Sequence, residues 1–170
     1  WHWWSNDGAM LYGQRENVLV SRPVDGGPET VLGRFSWDGP VRLMDISPDG
    51  RNLLMTCGNI GPLCISTISD DGVFGAPVQI TASNDSHMDA SFSPDGRSIV
   101  YSITGSGIYV QPYPGPGRRI EIAANGEDPV WRGDGKEILY AVGLAAVMSV
   151  SVSGSSGSLS FGTPQKLFEG

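Results

Sequence analysis

The chain has 170 residues, 39% of them apolar, which is enough for one domain with a substantial core and too apolar for an intrinsically disordered segment. It carries 11 basic against 18 acidic residues, a net charge of −7, and its densest basic stretch is Arg118-Arg119, so the basic stripe that nucleic-acid binding requires is missing. No apolar run approaches the roughly 20 residues that span a bilayer, and no signal peptide is visible.

One pattern occurs four times: an apolar residue, two small or polar residues, Asp-Gly, then an apolar strand. The first copy, Trp4-Ser5-Asn6-Asp7-Gly8, precedes strands predicted at Met10-Leu11-Tyr12, Val18-Leu19-Val20 and Thr30-Val31-Leu32. The second, Ile46-Ser47-Pro48-Asp49-Gly50, precedes Leu53-Leu54-Met55, Leu63-Cys64-Ile65 and Val78-Gln79-Ile80. The third, Phe92-Ser93-Pro94-Asp95-Gly96, precedes Ile99-Val100-Tyr101, Ile108-Tyr109-Val110 and Ile120-Glu121-Ile122. The fourth, Trp131-Arg132-Gly133-Asp134-Gly135, precedes Ile138-Leu139-Tyr140, Val147-Met148-Ser149-Val150 and Gln165-Lys166-Leu167-Phe168. The turn has a mechanism: Pro presets φ, Asp suits the next position, and Gly accepts positive φ at the exit. No helical period of useful length is present.

The four aspartates are 42, 46 and 39 positions apart, the spacing of one propeller blade. The predicted fold is therefore all-β: a β-propeller region with four blades of four antiparallel strands each, over 1–40, 41–86, 87–126 and 127–170. Trp4, Ile46, Phe92 and Trp131, each three residues before its Asp, are expected to pack between blades, because one blade cannot bury both faces of its sheet. The four blades are expected to be part of a six- to eight-bladed ring, the alternatives being closure by themselves or pairing with a second copy. Open ends would expose apolar faces and promote self-association. The first residue, Trp1, points to a segment of a longer chain.

The Ser-Pro-Asp-Gly-Arg copies resemble the Pro-Asp type of WD-like repeat found in TolB and in the propellers of prolyl-oligopeptidase-type enzymes. A narrower resemblance covers residues 90–170. It rests on Gly107-Ile108-Tyr109-Val110-Gln111-Pro112-Tyr113-Pro114-Gly115-Pro116-Gly117, on Asp128-Pro129-Val130-Trp131-Arg132-Gly133-Asp134-Gly135-Lys136-Glu137-Ile138-Leu139-Tyr140, on Phe161-Gly162-Thr163-Pro164 and on Leu167-Phe168-Glu169-Gly170. This stretch is similar to propellers joined to some bacterial serine/threonine protein kinases, which implies a sensor region beyond a membrane span. The chain has no Gly-rich loop with a following strand Lys, no His-Arg-Asp and no Asp-Phe-Gly, so any kinase lies elsewhere.

Catalytic chemistry finds little support. No Gly-x-Ser-x-Gly elbow occurs, His2 and His87 are the only histidines, and Gly154-Ser155-Ser156-Gly157 reads as a flexible linker. Asp85, His87, Asp89 and Asp128 lie where strands enter a central channel, with Asp45 and Glu127 near them in sequence. A solvated acidic channel mouth is the plainer reading; a divalent cation or a cationic ligand is the alternative. The Asp-Gly aspartates are expected to serve their own turns. Trp1, Trp3, Tyr109 and Tyr113 are candidate ligand contacts; cover for the channel or an interblade seam is the other reading of the two tryptophans, and packing against the adjoining strand is the plainer reading of the two tyrosines. Cys57 and Cys64 flank Gly58-Asn59-Ile60-Gly61-Pro62, a turn that would let them face each other across two strands. Two unbonded small apolar residues is the plainer reading; a disulfide would imply an oxidising compartment.

The sequence thus points to a non-catalytic binding or sensor module for a protein, peptide or small ligand, without a resident cofactor. Its location would be periplasmic or otherwise extracytoplasmic, with the cytoplasm as the alternative. The rival reading is the propeller part of a hydrolase or of a metal-dependent polysaccharide-degrading enzyme whose catalytic part lies outside this chain.

Overall fold

The computed structural model describes residues 2–5, 8–15, 18–35, 41–58, 60–82, 85–115, 117–155 and 158–169, with backbone alone for His2, Trp3, His87, Met88 and Ser155. These residues are all-β and fall into two compact units, Trp1–Asn84 and Asp85–Gly170.

The first unit holds two sheets. One runs in the order β1 (His2–Trp4), β2 (Met10–Arg15), β3 (Val18–Pro23), β4 (Thr30–Arg34). The other runs β5 (Leu43–Ile46), β6 (Asn52–Thr56), β7 (Leu63–Thr67), β8 (Val78–Gln79). The second unit holds the sheet β9 (His87–Phe92), β10 (Ser98–Ile103), β11 (Gly107–Pro112), β12 (Ile120–Ala123) and a larger one. That sheet contains β13 (Glu127–Trp131), β14 (Glu137–Val142), β15 (Ala146–Ser155), β16 (Ser158–Phe161) and β17 (Gln165–Glu169), the last pairing with β15. All strand pairs are antiparallel, and the second, third and fourth strands of every repeat lie where the apolar runs predict them.

The turn between the first two strands closes through the same side-chain bonds in the second and third sheets. Ser47 Oγ donates to Asp49 Oδ1 at 2.5 Å, while Asp49 Oδ1 accepts from the Arg51 amide at 3.0 Å and Ser47 Oγ from the Asn52 amide at 2.9 Å. Ser93, Asp95, Arg97 and Ser98 repeat the arrangement at 2.6, 3.0 and 2.9 Å. The Ser47 hydroxyl, with the Arg51 amide second, holds the Asp49 carboxyl below its ordinary value. In the last sheet Arg132 replaces the serine: Nε and Nη2 donate to the two oxygens of Asp134 at 2.8 Å each, and this pairing holds that carboxyl at about 2. The aspartates thus serve their own turns. The first copy keeps the Met10 amide to Ser5 Oγ bond at 2.9 Å, while Asp7 lies outside the described residues. A further copy occurs at Ser69-Asp70-Asp71-Gly72, where Ser69 Oγ donates to Asp71 and accepts from the Val73 amide at 2.9 Å.

Within each unit the second sheet lies on the first. Ile46, Leu53, Met55 and Cys64 pack with Leu19, Tyr12 and Leu32, and the rings of Phe35 and Phe74 meet at 4.7 Å. A parallel bridge joins Arg34 to Val73, and the backbones come so close that a Cβ on Gly33 would stand 2.2 Å from the Gly72 carbonyl oxygen. In the second unit Trp131, Ile138, Tyr140, Val150 and Val152 pack with Val100, Ile108, Val110, Ile122 and Ala123.

Three expectations change. Trp4, expected to pack between blades, is 58% exposed, unlike Ile46, Phe92 and Trp131, because the described residues place no sheet against its face. The fourth sheet has five strands rather than four: Gly154 and Ser155, read as linker, end β15 and pair with Leu159 and Ser158 of β16. Val152 is buried and Leu159 and Phe161 join the same core, so a hairpin forms where the serine-rich composition suggested a loop. Finally, Cys57 and Cys64 are joined by a disulfide across the β6–β7 hairpin rather than left as separate apolar residues. Antiparallel pairing of Met55 with Cys64 and the Cys57 amide to Pro62 carbonyl bond bring their Cα atoms to 5.8 Å, within disulfide reach.

Candidate functional site

A linked array of polar and aromatic side chains lies on one face of the third sheet. Strand alternation puts Tyr101 of β10, Tyr109 of β11 and Glu121 of β12 on the same side, and the register sets them directly opposite one another. The two tyrosine rings stack with centroids 6.0 Å apart. The Tyr101 hydroxyl donates to Gln111 Oε1 at 3.2 Å. The Tyr109 hydroxyl donates to Glu121 Oε2 at 3.1 Å, which leaves Ser106 Oγ as donor in the 2.7 Å bond to the same hydroxyl.

Arg119 completes the array. Its guanidinium lies 4.9 Å from the centroid of the Tyr109 ring, and Nη1 donates to Asp85 Oδ2 at 2.6 Å. Burial opposes the guanidinium charge, but the Asp85 carboxylate overrides it and leaves the Arg119 pKa above its ordinary value. Burial pushes the Tyr101 hydroxyl up to about 12, although Arg119 nearby works in the other direction. Asp85 is nearly covered, whereas the Arg119 side chain is 43% exposed. The result is a cation fixed on an aromatic floor by a covered carboxylate, with its outer edge open to solvent.

The residues singled out from sequence are placed unevenly. Asp85 is the carboxylate of that ion pair. Asp89 is half-buried in β9 and has partners of its own, and Asp128 is exposed in β13 with φ of 52°. The backbone of His87 pairs opposite Ile103, and its side chain lies outside the described residues. Among the described residues no group of three or more His, Cys, Asp or Glu gathers in a way that could hold a metal ion. Asp45 is buried and accepts from the Ile46 amide at 2.8 Å. Trp1 and the Trp3 side chain lie outside the described residues. Tyr109 is buried as the floor under Arg119, and Tyr113 sets its ring edge-on against Phe92 at 5.2 Å.

Arg119, Glu121 and Gln111 were not legible as site residues. In sequence the pair Arg118-Arg119 is only a basic stretch too short for nucleic acid, and the pairing of β11 with β12 is what carries Arg119 to the tyrosines. A separate cleft of about 760 Å³ in the second unit is lined by Ser93, Asp95, Ser98, Trp131, Asp134 and Lys136, among others. Trp131 Nε1 is buried there without a hydrogen-bond partner among the described residues.

No family model matches the chain, and no curated protein does. Solved structures are similar in fold. A putative TolB from Agrobacterium tumefaciens is 19% identical, with a TM-score of 0.59 over 99% of this chain and 65% of its own. The Cps50 (Swd1) β-propeller domain from Myceliophteria thermophila is 13% identical, with 0.58 over 88% and 50%. A gluconolactonase from Xanthomonas campestris is 14% identical, with 0.58 over 82% and 52%. This chain is thus a β-propeller region, similar in fold to TolB and to a WD-type propeller domain. It spans less than two thirds of the length of each of these structures.

Proposed function

We propose that this propeller region is a binding module for a protein or peptide partner. The observation that carries the reading is Arg119, held on Tyr109 by Asp85 and partly open to solvent. Arginine and tyrosine are enriched where interfaces concentrate their energy, and a guanidinium already ordered by a carboxylate loses little freedom on binding. The Cys57–Cys64 disulfide supports an oxidising, extracytoplasmic compartment. The likeness of residues 90–170 to kinase-linked propellers makes a bacterial receptor kinase the reading for what such a module would serve.

The test is selection from a displayed random peptide library on the immobilised chain, followed by affinity measurement against Arg119→Ala. Enriched peptides should bind the unchanged chain and lose roughly tenfold or more on the variant, whose circular dichroism should show the fold retained although the loss of the Asp85 partner lowers its melting temperature. Failure to enrich any peptide, or equal affinity for the variant, would remove the support. Turnover of glucono-1,5-lactone by the chain would favour the enzyme reading instead, in line with the gluconolactonase among the similar structures.

A further inference from the structure

The seam between the third and fourth sheets holds polar groups that the fold does not use. Val100 of β10 packs in the core with the fourth sheet. Ser91 stands directly across from it and Ser102 two positions along β10, so both hydroxyls lie on that face. Both are buried and make no hydrogen bond among the described residues, and the same holds for Trp131 Nε1 of the facing sheet. An indole Nε1 can only donate, and a buried donor without an acceptor is costly.

Trp131 is 9% exposed and lines the cleft of about 760 Å³ in this seam. Ser98, on the same face as Val100, lines it too. The Ser98 amide and carbonyl serve the turn, whereas its hydroxyl takes no part in the turn's bonds.

The repeat supplies an internal control. The first unit has a cleft at the corresponding place between its two sheets, lined by Met10, Ile46, Asp49 and Arg51 among others. Counted from the turn aspartates, Met10 and Ile46 hold the positions of Ser98 and Trp131. Two apolar residues therefore satisfy packing at these places, and the indole N–H and the hydroxyl of the second unit are additions that packing does not require. An apolar wall with a few polar groups aimed at one space is the form that small-ligand sites take, and here the wall comes from Pro94, Val152 and Leu159.

Charge narrows the ligand. Asp134 gives both carboxylate oxygens to Arg132, and the other charged lining residues, Asp95 and Lys136, are of opposite sign. These charges offset one another, so no net field selects an ion. The free polar function is the Trp131 donor, which calls for an oxygen acceptor.

We propose that this cleft binds a small uncharged molecule bearing a carbonyl oxygen, an amide or ester on an apolar body. The oxygen accepts from Trp131 Nε1, and the apolar part lies on Pro94 and Leu159. The inference does not depend on the binding function proposed above, since Arg119 lies on Tyr109, on the opposite face of the third sheet.

The test is a titration of the isotope-labelled chain with ε-caprolactam, hexanoate and hexylammonium, followed at the indole N–H signals by NMR. The Trp131 signal is the one lost in Trp131→Phe or, if that variant does not fold, the one with cross-peaks to the valine methyls of its core. Caprolactam should move this signal in a saturable way and leave the other indole signals in place. The two ions should bind about tenfold or more weakly, because nothing in the cleft compensates a buried charge. Folded Trp131→Phe should lose about tenfold in affinity for caprolactam, read from the ligand's own signals. No saturable shift at Trp131 would overturn the inference, as would an ion that binds as well as caprolactam or a folded variant with unchanged affinity.

Discussion

Tyr101 turns the packing of the third sheet into a pH measurement. Its side chain is 1% exposed and its hydroxyl donates to Gln111, and burial holds its proton to about 12 against an ordinary value of 10.0. Below pH 10 the folded and unfolded chains both keep this proton, and its contribution to stability is complete. Between 10 and 12 the unfolded chain releases the proton first, so stability falls as pH rises and the contribution is gone above the folded pKa. Two pH units at about 1.4 kcal/mol each set a limit of about 3 kcal/mol, of which about 2 is lost by pH 12. Tyr101→Phe removes the titrating group and the Gln111 hydrogen bond, at a cost of about 1 kcal/mol near neutrality. Urea unfolding at a series of pH values should therefore find the variant less stable by about 1 kcal/mol at about pH 8 and more stable by about the same amount at about pH 12. Other alkaline titrations act on both proteins and cancel in the difference. Parallel stability curves would refute the reasoning, because they would mean that Tyr101 ionises as freely in the folded chain as in the unfolded one.

Two other substitutions probe contacts that the sequence alone does not display. Gly33→Ala should destabilise the first unit by about 1–3 kcal/mol in urea unfolding, since its Cβ would overlap the Gly72 carbonyl oxygen and the Phe74 ring; an unchanged midpoint would mean that β4 and the Gly72 turn stand further apart than described. Replacing both Cys57 and Cys64 by serine should cost about 2 kcal/mol from the short loop the disulfide closes, and reduction of the unchanged chain should reproduce the loss in thermal melts. Identical melts would mean that the β6–β7 hairpin is held without the bond.

Much of the architecture was legible because it depends on local chemistry. Ser-Pro-Asp-Gly fixes a turn through bonds among residues at most five apart, and Asn52–Thr56 and Ser98–Ile103 follow as strands because apolar residues resume as soon as Gly releases the chain. The repeat of that unit at about one blade length was sufficient to define an all-β propeller region. The Ser69 turn, the Phe74 packing and the β15–β16 hairpin are not legible in the sequence. Their signals are single residues, and serine-rich segments form strands only when a neighbouring core buries the alternate positions.

The sequence by itself determined the Asp-Gly turn positions and the strands that follow them in each repeat. Tertiary structure decided which residues meet. Arg119 reaches Asp85 and Tyr109 only because β9 to β12 align in one register across thirty-four residues of chain, and Trp4 is exposed only because no described sheet covers it. Local bonds are encoded by neighbours a few residues apart, whereas burial and ion pairing depend on surfaces that exist only once separate strands have come together.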